Sequence, residues 1–149
     1  MKMWSVDSEQ AMTELGERLG ERLRPGDLLF LSGDLGAGKT TLTQGIARGL
    51  GVTAAVTSPT FQLRKTYSGR WPLNHLDLYR LEKPEELEVL EPDELIEAGV
   101  TVVEWGDLLK RLFPHQHLEI AIEYGPGEGQ RLVTFRPDGR RFEALVEEL

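Results

Sequence analysis

The stretch from residue 28 to residue 47 constrains the fold most. It reads LLFLSGDLGAGKTTLTQGIA, an apolar strand followed by a glycine-rich loop and the start of a helix. Residues 33–40 place a glycine, four residues and then Gly-Lys-Thr in the pattern of a phosphate-binding loop. Glycines at 33, 36 and 38 permit positive φ, so the backbone amides can approach a polyphosphate closely. The sequence therefore predicts a strand–loop–helix unit that binds nucleotide phosphates.

Two side chains of this loop carry the expected chemistry. Lys39 is long enough to reach the β- and γ-phosphates, and the hydroxyl of Thr40 can ligate Mg²⁺. The positive end of the helix that follows adds to the attraction for anions. The predicted nucleotide-binding residues of the loop are Gly33, Asp34, Leu35, Gly36, Ala37, Gly38, Lys39, Thr40 and Thr41.

Length and composition narrow the class of protein. The chain has 149 residues, of which 40% are hydrophobic and 28% charged, and this predicts one domain over residues 1–149. It contains no cysteine, which excludes disulfides and cysteine-based nucleophiles or metal sites. No apolar run reaches membrane-spanning length and the first residues lack a signal-peptide profile, so we expect a cytoplasmic protein without a membrane partner.

The formal net charge of −8 argues against a broad basic surface for nucleic acid. Neutralisation of phosphates supplies most non-specific affinity for nucleic acid, and an acidic chain cannot provide it. Any role in nucleic-acid metabolism is therefore expected to run through another protein.

Hydrophobic periodicity and turn signals place the remaining elements. The sequence predicts an α/β protein with a P-loop NTPase-type three-layer fold: a mostly parallel sheet, an antiparallel β-hairpin, and the ligand at the carboxyl ends of the strands. The predicted helices span residues 8–23, 40–50, 84–90, 92–98, 108–113 and 140–149. The predicted strands span residues 28–32, 61–67, 72–79, 100–105, 118–124 and 131–136, with 61–67 and 72–79 forming the hairpin.

Two carboxylates stand at predicted strand ends and are candidates to complete the site. Glu104 follows the buried-strand sequence VTVV, at the position where many P-loop proteins carry a metal-binding carboxylate. Asp77 lies in the sequence HLDLYR. The alternatives are a water-exposed strand-end carboxylate for Glu104 and simple alternation, with Asp77 facing outward, for Asp77.

Five further residues have both a functional and a structural interpretation. Thr60, within Ser-Pro-Thr, is a candidate sensor of the γ-phosphate or else part of a proline-set turn. Arg80 and Arg131 are candidates to contact the phosphates or base, or else are solvated. His75 is expected to be structural rather than catalytic. Trp105 is a candidate to stack on a partner or to close the site, but it is expected to pack in the core.

An acidic run follows the hairpin, and only Lys83 opposes it in charge. A solvated helical surface and a docking surface for a basic partner both explain such a run. Its members are Glu82, Glu85, Glu86, Glu88, Glu91, Asp93, Glu94 and Glu97.

Taken together, these motifs resemble the bacterial TsaE family, also called YjeE, over essentially the whole chain. The motifs that carry the resemblance are GDLGAGKTT at 33–41, SPT at 58–60, HLDLYRL at 75–81, PEELE at 84–88 and VEW at 103–105. The phosphate-binding loop alone is shared with many proteins, whereas its combination with the other motifs is specific.

The resemblance implies an ATPase required for the threonylcarbamoyl modification of adenosine beside the tRNA anticodon. It implies ATP and Mg²⁺ as cofactors and the TsaB–TsaD complex as partner, with tRNA engaged only indirectly. By position, it implies that Lys39 and Thr40 bind phosphate and Mg²⁺, that Glu104 is the metal carboxylate, and that Asp77 is a second essential acid. It also assigns Arg131 to the nucleotide and residues 8–10 to the vicinity of the base.

Other functions remain open on the residues alone. A small-metabolite kinase shares the loop and the size, but it needs an acceptor pocket and an arginine-rich lid where this chain is acidic. A GTPase is disfavoured because the chain has no Asn/Thr-Lys-x-Asp guanine motif. A binding module that is switched by nucleotide occupancy, without physiological turnover, is the non-enzymatic alternative.

Overall fold

A computed structural model describes residues 1–34, 36–59 and 63–149. The described residues form seven strands and six helices. The strands are β1 (Lys2–Val6), β2 (Leu28–Gly33), β3 (Arg64–Tyr67), β4 (Leu73–Asp77), β5 (Val100–Glu104), β6 (His117–Tyr124) and β7 (Arg131–Asp138). The helices are α1 (Glu9–Gly20), α2 (Lys39–Gly49), α3 (Pro84–Glu88), α4 (Pro92–Ala98), α5 (Asp107–Leu112) and α6 (Arg140–Glu148).

The strands form one sheet in the order β1-β7-β6-β2-β5-β4-β3. Strands β6, β2, β5 and β4 pair in parallel, whereas β3, β7 and β1 are added by antiparallel pairing. Five strands therefore run in one direction and only β3 and β7 oppose them. This confirms the predicted mostly parallel α/β sheet with its β3–β4 hairpin. Residues 61–62 of the predicted strand 61–67 lie outside the described residues.

Helices cover both faces of the sheet, which explains why the central strand is apolar throughout. In β2, Leu29 and Leu31 pack into a core with α1, α2 and α6, while Leu28 and Phe30 pack into a second core with α3, α4 and α5. A parallel strand that is buried on both faces reads as a continuous hydrophobic run. Because β2 leads directly into the loop at 33–38, the two cores fix the position of that loop.

Strand β1 was not predicted from the sequence, because its hydropathy is reversed relative to its burial. Lys2, Trp4 and Val6 face the protein, whereas Met3 is 59% exposed. The Lys2 ammonium lies 4.8 Å from the centre of the Trp4 ring, and it donates hydrogen bonds to backbone carbonyls at the end of α6. A lysine can thus occupy an inward position when its stem is covered and its charge meets a helix C-terminus.

Helices α1 and α2 pack unusually closely through glycines. A Cβ built on Gly45 would lie 2.3 Å from the carbonyl oxygen of Thr13 and 3.0 Å from the Cα of Gly16. The same pattern repeats one turn later, where a Cβ on Gly49 would lie 2.9 Å from the Cα of Gly20. The helix that begins at the phosphate-binding loop is therefore in backbone-to-backbone contact with α1.

Candidate functional site

The glycine-rich loop has backbone dihedral angles that are unfavourable for residues with a Cβ atom. Gly33, Gly36 and Gly38 have φ of 149°, 78° and 119°, which confirms the positive φ expected from the sequence. Gly38 is the N-cap of α2, and the Ala37 amide donates to the Asp34 carbonyl across the loop at 3.0 Å. A Cβ on Gly38 would also press on Met12 of α1 at 3.0 Å. The predicted site residue Leu35 lies outside the described residues.

Lys39 and Glu104 meet below the start of α2. In β5, Glu104 shares a face with Val100 and Val102, the face that α2 covers, so its carboxylate points toward the loop rather than into water. Its Oε1 lies 3.8 Å from the Lys39 ammonium, and the two side chains are only 8% and 13% exposed. A water-exposed strand end, the alternative for Glu104, does not describe this geometry.

His75 contacts the other oxygen of the same carboxylate. The ring is fully buried in β4, and its Nε2 lies 2.9 Å from Oε2 of Glu104. This histidine was expected to be structural, and the contact with the candidate metal carboxylate was not foreseen. The sequence does contain an indication of this contact. His75 and Asp77 are two residues apart, so both side chains lie on one face of a strand, and Asp77 was already a candidate site residue.

Asp77 lies beside Glu104 at the end of the neighbouring strand. The two residues are direct partners in the parallel pairing of β4 with β5, so their side chains emerge from the same edge of the sheet. Asp77 is half-buried and its Oδ1 accepts a hydrogen bond from the Tyr79 amide at 3.1 Å. Leu76 and Leu78 face the opposite core, as alternation requires. The face that Asp77 occupies is the one that carries Lys39 and Glu104.

The remaining predicted ligands of the phosphates that the structure describes lie in the first turn of α2. Thr40 is exposed and follows Lys39 directly, and Thr41 is half-buried. Thr60, the predicted sensor of the γ-phosphate, lies outside the described residues.

Arg131 braces the phosphate-binding loop from strand β7. Its Nε donates to the Ala37 carbonyl at 3.1 Å, and its guanidinium lies 4.3 Å from the centre of the Tyr124 ring. It also lines a cavity of about 230 Å³ on the α1 side of the loop. The N-terminal end of α1 supplies the opposite wall of this cavity through Ser8 and Glu9.

A second cavity, of about 170 Å³, opens on the other side of the loop and includes Lys39 and Trp105. Helix α5 and strand β6 contribute Asp107, Lys110 and Glu119 to its wall. Lys110 hydrogen-bonds Glu119, and this bond, although opposed by burial, holds the pKa of Glu119 below its ordinary range. These three charged residues were not predicted as site residues. Asp107 and Lys110 could have been found from their position, since α5 begins shortly after the strand that ends at Glu104.

The prediction that Trp105 packs in the core is wrong. The residue has φ of 57° and turns its indole outward, where it is 55% exposed. The ring lies 5.5 Å from the Lys39 ammonium and meets the exposed ring of Tyr79 edge-on at 5.0 Å. The indole thus forms the outer wall of the site beside Lys39.

The acidic run folds into α3, α4 and their flanking turns, and each of its eight carboxylates is exposed. Asp93 pairs with His115 at 3.0 Å, and a hydrogen bond with Glu91 raises the pKa of Glu94. Exposure of the whole run is compatible both with a solvated helical surface and with a docking surface for a basic partner.

Within the described part of the chain, no helix combines the length and the apolar composition that a bilayer crossing requires.

The sheet, with its central strand running through a glycine loop into a helix and with Lys39 facing a strand-end carboxylate, defines a P-loop NTPase-type protein. The family model for "Threonylcarbamoyl adenosine biosynthesis protein TsaE" matches residues 6–133. The chain therefore belongs to the TsaE family, as its motifs predicted.

Individual relatives agree with this assignment. The chain is 48% identical to the Bacillus subtilis tRNA threonylcarbamoyladenosine biosynthesis protein TsaE, over 98% of this chain and 92% of the relative. It is 41% identical to the protein of the same name from a Nostoc species, over 91% and 85%. A crystal structure of Bacillus subtilis YdiB superposes with a TM-score of 0.82 at 36% identity, covering 99% of this chain and 92% of that one.

Proposed function

We propose that this protein binds and slowly hydrolyses ATP with Mg²⁺, in the cytoplasm, as part of the machinery that makes threonylcarbamoyladenosine in tRNA. The observation that carries the proposal is the 3.8 Å contact between Lys39 and Glu104 under the first turn of α2. A cation that faces the loop and a carboxylate at the next strand end are the two charges that phosphoryl transfer from a Mg²⁺-bound nucleotide needs. The names of the relatives supply the biological setting.

The donor set fits a Mg²⁺ ion that is held together with phosphates rather than by protein alone. Among the described residues, no group of three or more His, Cys, Asp or Glu side chains is placed to hold a metal ion. Mg²⁺ commonly takes one or two carboxylates, a hydroxyl, water and substrate phosphates. Glu104 and Thr40 are the residues that would hold it.

Each side chain then has a separate task. Bound ATP with Mg²⁺ supplies the phosphoanhydride bond and the cation that neutralises its oxygens. Lys39 would donate to the phosphates, and Glu104 would offer the cation its Oε1, the oxygen that lies 3.8 Å from Lys39. Asp77, at the same sheet edge, orients a water molecule for attack on the terminal phosphate.

The cavity on the α1 side of the loop is suited to the nucleoside. It is lined by Gly36, Gly38 and Thr41, which belong to the loop and to the first turn of α2. Ser8 and Glu9 provide polar groups that can receive hydrogen bonds from an exocyclic amine or a ribose hydroxyl.

Glu104→Gln and Asp77→Asn test these roles separately. We expect Glu104→Gln to raise the Mg²⁺ concentration required for ATP binding by about 10- to 100-fold, because a neutral amide is a poor ligand for this cation. We expect Asp77→Asn to lower the hydrolysis rate by about 100-fold with little change in ATP affinity, because its task is confined to the reacting water. Calorimetric titration and phosphate release measure the two effects.

Asp107→Asn is the matched control, since Asp107 is a carboxylate that lines the cavity beside Lys39 from α5. This variant should change neither the Mg²⁺ concentration required for ATP binding nor the rate of hydrolysis strongly. Parent-like Mg²⁺ dependence in Glu104→Gln, together with parent-like turnover in Asp77→Asn, would show that neither carboxylate has the proposed role.

The proposal includes a TsaB–TsaD-type complex as the partner that makes hydrolysis productive. Of the described residues that line the cavity beside Lys39, none is an arginine. An arginine supplied by a second protein accelerates many P-loop hydrolases by orders of magnitude. The net charge of −8 further disfavours direct capture of tRNA.

Phosphate release by the isolated chain is therefore expected to be slow and to rise at least about tenfold when TsaB and TsaD are added. Mixtures that contain the Lys39→Ala variant instead control for ATPase activity of the partners. Equal rates with and without the partners would remove partner dependence from the proposal, and absence of any phosphate release would favour the nucleotide-switched binding module.

One observation supports the alternative of a small-metabolite kinase, and another opposes it. The cavity of about 170 Å³ beside Lys39 is large enough for part of a small acceptor. The segment that would form an arginine-rich lid instead forms the short acidic helices α3 and α4. Transfer of labelled phosphate to a small molecule rather than to water would identify a kinase.

A further inference from the structure

His75 is a fully buried polar residue, and one of its two ring nitrogens lacks a hydrogen-bond partner among the described residues. The side chain is 0% exposed, and it is flanked along β4 and β5 by the buried apolar residues Leu73 and Val102. Among the described residues, its Nδ1 is the only buried side-chain nitrogen or oxygen without a hydrogen-bond partner. A buried polar atom without a partner destabilises a core, so packing alone does not explain a histidine here.

Within the described part of the chain the imidazole has one hydrogen-bond partner, and that partner fixes its tautomer. Nε2 lies 2.9 Å from Oε2 of Glu104, and a carboxylate oxygen only accepts hydrogen bonds. A proton on Nδ1 would leave two lone pairs facing each other and a buried donor unpaired. The ring therefore carries its proton on Nε2 and donates it to Glu104.

The two oxygens of Glu104 consequently have different partners. Oε2 is held from the core side by His75, and Oε1 lies 3.8 Å from Lys39 on the loop side. Asp77 pairs with Glu104, and His75 pairs with Val102, two residues before Glu104 in β5. His75 therefore lies on the same face of the sheet as Glu104, on the side of the carboxylate away from the strand end. The ring thus restrains the carboxylate from behind while its front remains open to the loop.

We propose that His75 is a positioning residue for the metal carboxylate, an inference that rests on the proposed role of Glu104. By holding Oε2, the imidazole fixes the rotation of the carboxylate, so that Oε1 stays directed at the loop when Lys39 leaves for the phosphates. Without this restraint the carboxylate can rotate and offer both oxygens to Lys39. The ammonium and the carboxylate would then neutralise each other and be less available to the nucleotide and the cation. Hydrogen-bond partners of metal-binding residues commonly have this effect on metal affinity.

The test compares ATP affinity in Mg²⁺ with ATP affinity in EDTA, by calorimetry, for each variant. The ratio of the two dissociation constants measures how much the metal strengthens binding and does not depend on turnover. His75→Phe keeps a ring but removes the donor, and we expect the ratio to fall about tenfold while the affinity in EDTA changes little. His75→Gln places an amide N–H near the position of Nε2 and is expected to restore most of the ratio.

Asn74→Leu is the matched control, because Asn74 is a buried polar residue on the opposite face of the same strand. It should lower thermal stability without changing the ratio. If His75→Phe does not fold, His75→Leu takes its place, with circular dichroism confirming the fold of each variant.

The outcomes separate this inference from the function on which it rests. Loss of the ratio in His75→Phe, rescue in His75→Gln and no change in Asn74→Leu support the positioning role. A parent-like ratio in His75→Phe overturns it, and so does an equal loss in Asn74→Leu; in both cases a collapsed ratio in Glu104→Gln leaves the proposed metal carboxylate standing. A parent-like ratio in Glu104→Gln overturns both.

Discussion

Replacing Lys39 with alanine is expected to weaken ATP binding by about 100-fold, the equivalent of about 3 kcal/mol of lost charge-assisted hydrogen bonding to phosphate. Two effects add. The variant loses the cation that lies at the start of α2, and it leaves the carboxylate of Glu104, 8% exposed, without its 3.8 Å counter-charge next to an incoming anion. Isothermal titration with ATP measures the change directly.

Lys110→Ala is the control for this variant, since Lys110 lines the same cavity but pairs with Glu119. Its removal should cost far less ATP affinity than the removal of Lys39. Lys39→Arg retains the charge and should fall between alanine and the parent. An ATP affinity that is unchanged in Lys39→Ala would mean that the nucleotide is not bound through this loop.

Gly45→Ala is expected to destabilise the fold by about 3 kcal/mol, which lowers the melting temperature by roughly 10 °C for a chain of this size. At an ordinary helical position the same substitution stabilises a helix by about 1 kcal/mol. Here the added methyl would lie 2.3 Å from the Thr13 carbonyl oxygen, so α1 and α2 must separate. Thermal denaturation monitored by circular dichroism gives the change.

Gly26→Ala separates the steric effect from the general effect of losing a glycine. A Cβ at Gly26 would meet no atom of the described residues within 4 Å, and its φ of 95° is what opposes the substitution. We expect a loss of about 1 kcal/mol there. A Gly45→Ala protein as stable as the parent would show that the two helices can separate at no cost.

Most of the architecture was predictable because local signals and tertiary packing agree. The strand that begins at Leu28, the loop glycines and the helix from Lys39 each follow from short-range patterns, and the apolar run of β5 identified a strand buried on both faces. Glu104 was found in the same way, as a carboxylate at the end of such a strand. The roles proposed for Lys39, Glu104 and Asp77 in nucleotide chemistry remain predictions.

What the sequence did not predict depends on contacts between distant residues. Lys2 faces inward only because Trp4 and the end of α6 cover it. Trp105 faces outward because its positive φ turns the chain at the end of β5, which no local pattern encodes for a tryptophan. The bond from His75 to Glu104 joins residues 29 positions apart, and it becomes visible only when β4 and β5 are paired in register.

Under the proposed function, the Lys39–Glu104 ion pair makes two binding equilibria interdependent. When a phosphate recruits Lys39, Glu104 loses its counter-charge, and a cation at that carboxylate is then bound more tightly. Thermodynamic reciprocity requires the cation to raise phosphate affinity by the same factor, typically about 5- to 150-fold. One 3.8 Å contact thus suffices to make nucleotide and metal a cooperative pair, and to make each alone a poor ligand.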